Sequence, residues 1–288
     1  MAIESLRALE KASENKDIFE VVLDSDCTDR GVSREASLEK MHALYAAIRR
    51  AREGYDPALH SASGMVGGDG AKMREYVQKG KTICGDYIGQ VIAQALEMGE
   101  SNACMKGIVA APTAGSCGVL PAVLLPYQAR EGLDDNAMVR AMYIAGAIGQ
   151  VVAAKASIAG AAGGCQAEIG TASAMGAAAL CYLGGGSAQA VCHAAAIAIK
   201  SMLGLVCDPI AGLVEVPCVK RNAAGAMIAM SSADMALAGI RSAVPPDEVI
   251  LAMREVGDKM DVSLKETGVG GVAGTPFGQK IAEKMGMA

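Results

Sequence analysis

Tryptophan is absent from this 288-residue chain, and two Phe and seven Tyr are its whole aromatic complement. A core so poor in rings is closed by small and aliphatic side chains, which favours closely packed helices over a β-sandwich. Histidine occurs three times, never at a ligand-like spacing from a cysteine or another histidine. No Cys-x-x-Cys pair occurs, which disfavours zinc ribbons, thioredoxin-like redox pairs and ferredoxin-type cluster runs. There is no G-x-x-x-x-G-K-[ST] nucleotide loop. No basic cluster is interleaved with aromatics, so nucleic acid is not an expected partner. The opening residues MAIESLRALEKASENKD mix both charge signs and read as neither a signal nor a transit peptide. No run of 18 strongly apolar residues exists. The nearest, Ala141 to Gly164, is interrupted by Gln150 and Lys155 and reads as a buried helix, so no membrane role is expected.

What is present is 54 Ala, 35 Gly, 17 Met and nine Cys, with 52% hydrophobic and 20% charged residues and a net charge of −5. That composition excludes disorder as the dominant state. With no secretory signal read, the expected compartment is the reducing cytoplasm, where cysteines stay as thiols, bind metal or do chemistry.

Residues 1–55 are charged and amphipathic. In REASLEKMHALYAAIRRARE, Leu38, Met41, Leu44, Tyr45 and Ile48 recur at helical spacing, with Ser33 or Ser37 as the cap. This segment reads as a helical arm, and 56–288 as the main helical domain. Helices are expected at Tyr87–Gly99, Val119–Glu131, Asp135–Ala154, Gln166–Leu183, Ser187–Leu203, Asn222–Ile240 and Pro246–Met260. Leu213–Val219 is the single strand candidate. The expected fold is mainly α, a single helical domain with Gly-rich loops.

The loops carry the polar chemistry. His60 to Gly70 is Gly-rich. In Ala111–Pro121, Thr113, Gly115 and Ser116 precede a helix start, an arrangement suited to a carboxylate or phosphate and equally to a plain capped turn. Lys155–Glu168 places Cys165 after Gly163-Gly164. Cys207–Cys218 is a loop containing Pro and Gly between two cysteines, and Gly268–Pro276 is Gly-rich again. Cys27, Cys84, Cys104, Cys181 and Cys192 read as buried small hydrophobes. Cys117, Cys165, Cys207 and Cys218 lie in Gly/Pro loops. Thiolates gathered from separate loops could hold an iron–sulfur cluster, with zinc as the rival metal.

The segments PTAGSCGVLPAVL, GGCQAEIGTASAM and CDPIAGLVEVPCVKRNA, in this order, resemble the iron–sulfur-dependent bacterial L-serine dehydratases, and most closely their α subunit. The resemblance runs from about Asp17 to Thr275-Pro276. It implies that 56–288 is a cluster-binding catalytic α domain whose Gly-rich loops converge on a metal-cluster site, a [4Fe–4S] cluster on Cys165, Cys207 and Cys218, with L-serine as substrate and pyruvate and ammonia as products. It also implies a separate β subunit, because the family's second domain with its Ser/His motif is not found here. A cytoplasmic role in amino-acid degradation and gluconeogenesis follows from the same likeness.

For the base, Lys155 and His60 are the candidates, unless the β subunit supplies it. Substrate contacts are expected from Thr113, Gly115 and Ser116, then from Ser61, Ser63 and Gly64. Glu168 reads as a supporting group or a cap, Asp208 and Pro209 as turn formers, and Asn222 as a supporting amide. Lys220 and Arg221 either offset cluster charge or are ordinary surface charges. His193 reads as a satisfied helix histidine. L-Cysteine and L-threonine are alternative substrates. A pyridoxal-phosphate enzyme, which would need strands around Gly184-Gly185-Gly186, and a non-enzymatic iron–sulfur scaffold are the rivals of other classes.

Overall fold

Short polar residues start the helices that build this molecule. Ser5, Asp17, Ser33, Asp134, Ser187 and Thr275 each accept a hydrogen bond from a backbone N–H in the first turn that follows. The computed structural model describes residues 3–287. In chain order the helices are α1 (Leu6–Ala12), α2 (Ile18–Arg30), α3 (Arg34–Glu53), α4 (Asp69–Gln78), α5 (Asp86–Ala103), α6 (Val119–Glu131), α7 (Asp135–Lys155), α8 (Gly160–Gly163), α9 (Cys165–Leu183), α10 (Ala188–Met202), α11 (Cys218–Leu237), α12 (Pro246–Lys259) and α13 (Pro276–Lys284). Short 3₁₀ turns cover Ile210–Gly212 and Val262–Leu264. Ser33 rather than Ser37 caps α3. Ser37 is buried, and its hydroxyl lies 2.6 Å from that of Tyr143.

The mainly α reading holds, and among the described residues no β-strand forms. The strand expected at Leu213–Val219 is absent. The chain leaves a 3₁₀ turn at Gly212 and enters α11 at Cys218, and a lone extended segment has no neighbour to pair with. A single bridge joins Cys207 to Lys265.

Helix α9 is the central post, packed by α6, α7, α10 and α11. Nearly every residue from Cys165 to Cys181 is buried, which explains the absence of a polar face in its sequence. Its approach to α11 depends on Gly225, where a Cβ would meet Ile169 Cγ2 at 2.8 Å and Ser173 Oγ at 3.0 Å. Such contact needs small residues, and this accounts for much of the Ala and Gly.

The N-terminal helices join the same core. Leu6, Leu9, Phe19, Leu23, Tyr45 and Ile48 cluster with Ile144 and Ile148 of α7. Asp247 at the start of α12 accepts the N–H groups of Leu6 and Arg7 at 3.1 and 2.9 Å. Helix α7 is long and apolar enough to cross a membrane, yet 67% of its most apolar window is buried inside the molecule, as in a core helix.

Of the cysteines expected in the core, Cys181 and Cys192 are fully buried, whereas Cys27 and Cys104 are half-buried. Cys84 is exposed, a correction. It sits in the turn between α4 and α5, where no helix packs over it.

Candidate metal centre

Three thiols reach one region by three routes. Cys165 is the first residue of α9, released from α8 by Gly164 at φ 76°. Cys218 is the first residue of α11, behind Pro217. Cys207 lies in an extended segment held on both sides of its peptide. Its N–H donates to Leu264 O at 2.8 Å, and its carbonyl accepts from Glu266 N–H at 2.7 Å. All three side chains are buried. Cys165 and Cys218 each open a helix, where the backbone dipole favours negative charge.

The donor atoms of Cys165, Cys207 and Glu168 lie within 4.8 Å of one another, a spacing that could hold a metal. Cys218 is outside this tight group but close enough for its thiol to feel the charges of Cys165 and Glu168. The backbone is cut away around the group. A Cβ on Gly160 would meet Cys207 Sγ at 2.7 Å, and one on Gly115 would meet Glu168 Oε1 at 2.5 Å. Soft thiolate donors in a glycine cradle fit an iron–sulfur cluster or another thiophilic metal.

The electrostatics single out Cys165. Its thiol is held below the ordinary range by the hydrogen bond from Cys207 and by Arg221, against the opposing effect of burial. Cys207 is pushed up as the donor of that hydrogen bond and by burial. Burial pushes Cys218 up as well. Glu168 is raised by burial, with the Thr113 hydroxyl acting in the other direction.

Arg221 binds three points. Nη1 lies 3.5 Å from Cys165 Sγ and donates to Val206 O at 2.8 Å, while Nη2 pairs with Asp208 Oδ1 at 2.8 Å. Its neighbour Lys220 points away, to Asp69 at 3.2 Å.

The expected carboxylate loop abuts the thiols. Thr113 donates its hydroxyl to Glu168 Oε1. Asn222 stitches the loop to α11, accepting Gly118 N–H at 2.8 Å and donating to Gly115 O at 2.8 Å. Buried Ser116 accepts Thr113 N–H at 3.3 Å, so its hydroxyl serves the loop's shape. Among the described residues, the N–H groups of Ala114, Gly115 and Ser116 have no hydrogen-bond partner.

The remaining expected residues lie apart from this group. Ser61 donates to Glu215 Oε2 at 2.6 Å, and Ser63 bonds the same oxygen. They fasten the Gly-rich loop, with Gly64 at φ 76°, to the chain between Cys207 and Cys218. His60 is exposed, with Nδ1 3.3 Å from Ala58 O. Lys155 faces Asp247 at 3.7 Å.

Glu168 and Arg221 thus matter more than the sequence indicates, and Glu215 adds an anchor for Ser61 and Ser63 that no motif marks. The available signal for Glu168 was its place three residues after Cys165 on one helix face. For Arg221 the same spacing applies, three residues after Cys218.

The profile of the family described as "Serine dehydratase alpha chain" matches residues 13–273. A "Probable L-serine dehydratase, alpha chain" of Bacillus subtilis (strain 168) is 49% identical over 245 residues, which cover 85% of this chain and 80% of the relative. An "L-serine dehydratase, alpha chain" of Peptoniphilus asaccharolyticus is 43% identical over 272 residues, 88% of this chain and 93% of that one. A longer "L-serine dehydratase" of Streptomyces coelicolor is 45% identical over 181 residues, 62% of this chain but 40% of its own. The chain belongs to the serine dehydratase alpha chain family.

Proposed function

We propose that the chain is the α subunit of an L-serine dehydratase, a lyase converting L-serine to pyruvate and ammonia in the cytoplasm with a β-type partner. The observation that carries this reading is the buried Cys165–Cys207–Glu168 group, backed by Arg221, in a chain of this family.

Cys165, Cys207 and Cys218 would hold a [4Fe–4S] cluster. When bound, such a cluster with three thiolate ligands supplies a Lewis-acid iron that makes hydroxide a better leaving group. The reaction removes a proton from Cα and breaks the Cβ–O bond. The aminoacrylate so formed tautomerises to an imine, which water hydrolyses to pyruvate and ammonia.

The chain's own residues supply position and proton handling. The N–H groups of Ala114, Gly115 and Ser116, in the turn that precedes α6, offer three donors to the substrate carboxylate. Thr113 orients Glu168 through Oε1, leaving Oε2, 3.9 Å from Cys165 Sγ, to take the Cα proton. Burial raises the proton affinity of Glu168, the direction that makes a carboxylate a stronger base. Lys155 and His60 are the competing assignments, and Ser61, Ser63 and Gly64 shape the neighbouring loop.

The test is anaerobic reconstitution with iron and sulfide, with pyruvate assayed from L-serine, L-threonine and L-cysteine, with and without the β chain. A brown protein that forms pyruvate from L-serine when the partner is present is expected. Full turnover by this chain alone would overturn the partner, and preference for another amino acid would overturn the substrate.

A further inference from the structure

We propose that the Gly-rich turn Gly268–Thr275 positions the metal-binding thiols through a chain of contacts running Val272, Asp208, Arg221, Cys165. The inference rests on the cluster reading above and extends it to residues that touch no metal.

Each link is visible. Val272 N–H donates to Asp208 Oδ2 at 2.8 Å. The other carboxylate oxygen pairs with Arg221 at 2.8 Å, and Asp208 is 3% exposed. Arg221 reaches Cys165 Sγ and also takes the carbonyl of Val206, the residue before Cys207. One guanidinium therefore spans α11, the Cys207 segment and the start of α9, the elements that bring the thiols together.

The turn is shaped to hold Asp208 in place. At Gly271, φ is +60°, and a Cβ there would lie 2.3 Å from Asp208 Oδ2 and 2.6 Å from its Cβ. Gly268, at φ +70°, brings the turn against Gly212 just beyond Asp208, where a Cβ would lie 3.2 Å from the Gly212 nitrogen. Asp208 is thus clamped between a backbone amide and a fork-shaped cation. A planar guanidinium can serve three acceptors at once, which the single ammonium of lysine does not reproduce. Partners that orient metal ligands in this way typically change metal affinity or activity about 10–100-fold when altered.

The experiment uses the full chain reconstituted anaerobically with iron and sulfide. The wild type is compared with Arg221→Lys, Asp208→Asn and Gly271→Ala, with Lys220→Met and Ile144→Ala as controls. Bound iron, visible absorption and the rate of iron loss to a ferrous chelator are measured, and circular dichroism of the metal-free proteins verifies folding. The three variants attack one chain of contacts from three elements, so each is expected to lose iron about 10–100-fold faster than wild type. Lys220→Met keeps the wild-type rate. So does Ile144→Ala, which weakens the core without touching the chain of contacts, so faster loss is not a general effect of lowered stability. Wild-type loss rates in any two of the three folded variants overturn the proposal. A wild-type protein that takes up no iron overturns the cluster reading itself, a different result from tight iron that ignores all three substitutions.

Discussion

Cys181 and Cys165 lie on the same helix, both with 0% exposure, and differ in every chemical respect. Cys181 sits near the end of α9 in a wholly apolar setting, and burial alone pushes its thiol up to about 11. Cys192 on α10 is buried equally, donates to Leu6 O at 3.5 Å, and is pushed higher still. Cys165 opens α9, faces Cys207, Glu168 and Arg221, and is shifted the other way. Burial therefore does not make a cysteine inert or reactive. The difference lies in what the surrounding chain brings to the sulfur. In the helical body, burial is the largest effect on each thiol, and among the described residues no cation faces the sulfur. At the start of α9, a cation from the first turn of α11, a carboxyl group from α9 itself and a second thiol from the Cys207 segment surround the sulfur.

The sharpest way to break this comparison is to delete the thiols one at a time. Cys165→Ala, Cys207→Ala and Cys218→Ala should each abolish iron and sulfide retention after anaerobic reconstitution, while Cys181→Ala keeps the wild-type content. Full iron in the Cys207 variant would erase the distinction between the two sets.

Next in size is a catalytic effect that leaves the metal in place. Glu168→Gln keeps the shape and the Thr113 contact but cannot accept the Cα proton. Its kcat per bound iron should fall about 10²–10⁴-fold, with iron content measured alongside. His60→Gln should leave kcat near wild type, because that ring is exposed. The opposite ranking would move the base from Glu168 to His60.

The helical body is probed by Ile144→Ala. Ile144 is fully buried between the N-terminal helices and the rest of the core. Truncation should cost about 2–5 kcal/mol in denaturant unfolding of the metal-free protein. Iron bound per folded molecule should not change, which separates the body's stability from the metal centre.

Much of the body was legible in the sequence. Helix α6 begins and ends where expected, since Gly118 precedes it and Gly132, at φ 63°, stops it. Helix α11 begins four residues earlier than expected, at Cys218, because Pro217 fits the turn that opens a helix. The alternation in Leu213–Val219 imitated a strand, but Glu215 is buried there to receive Ser61 and Ser63, not to face solvent. The proposed thiol ligands are suggested by a long motif and not by spacing, because contacts between segments distant in sequence leave no periodic trace. The division between Lys220 and Arg221 depends on helix phase. A helix start misplaced by four residues could not supply it.

The smallest effect falls on Lys155, which joins the two regions in sequence by ending α7 just before the loop to Cys165. Its ammonium lies 3.7 Å from Asp247, a carboxylate already engaged by the first N–H groups of α1. Asp247 therefore keeps good partners when the lysine is removed. Both side chains are partly open to solvent, at 28% and 22%. Pairs of this kind contribute about 0–1 kcal/mol. Lys155→Met should thus shift the unfolding midpoint slightly and leave kcat at the wild-type value. A kcat loss as large as that of Glu168→Gln, with the midpoint unchanged, would show that Lys155 leaves Asp247 to act on substrate, and would assign this helix end to the metal centre and not to the body.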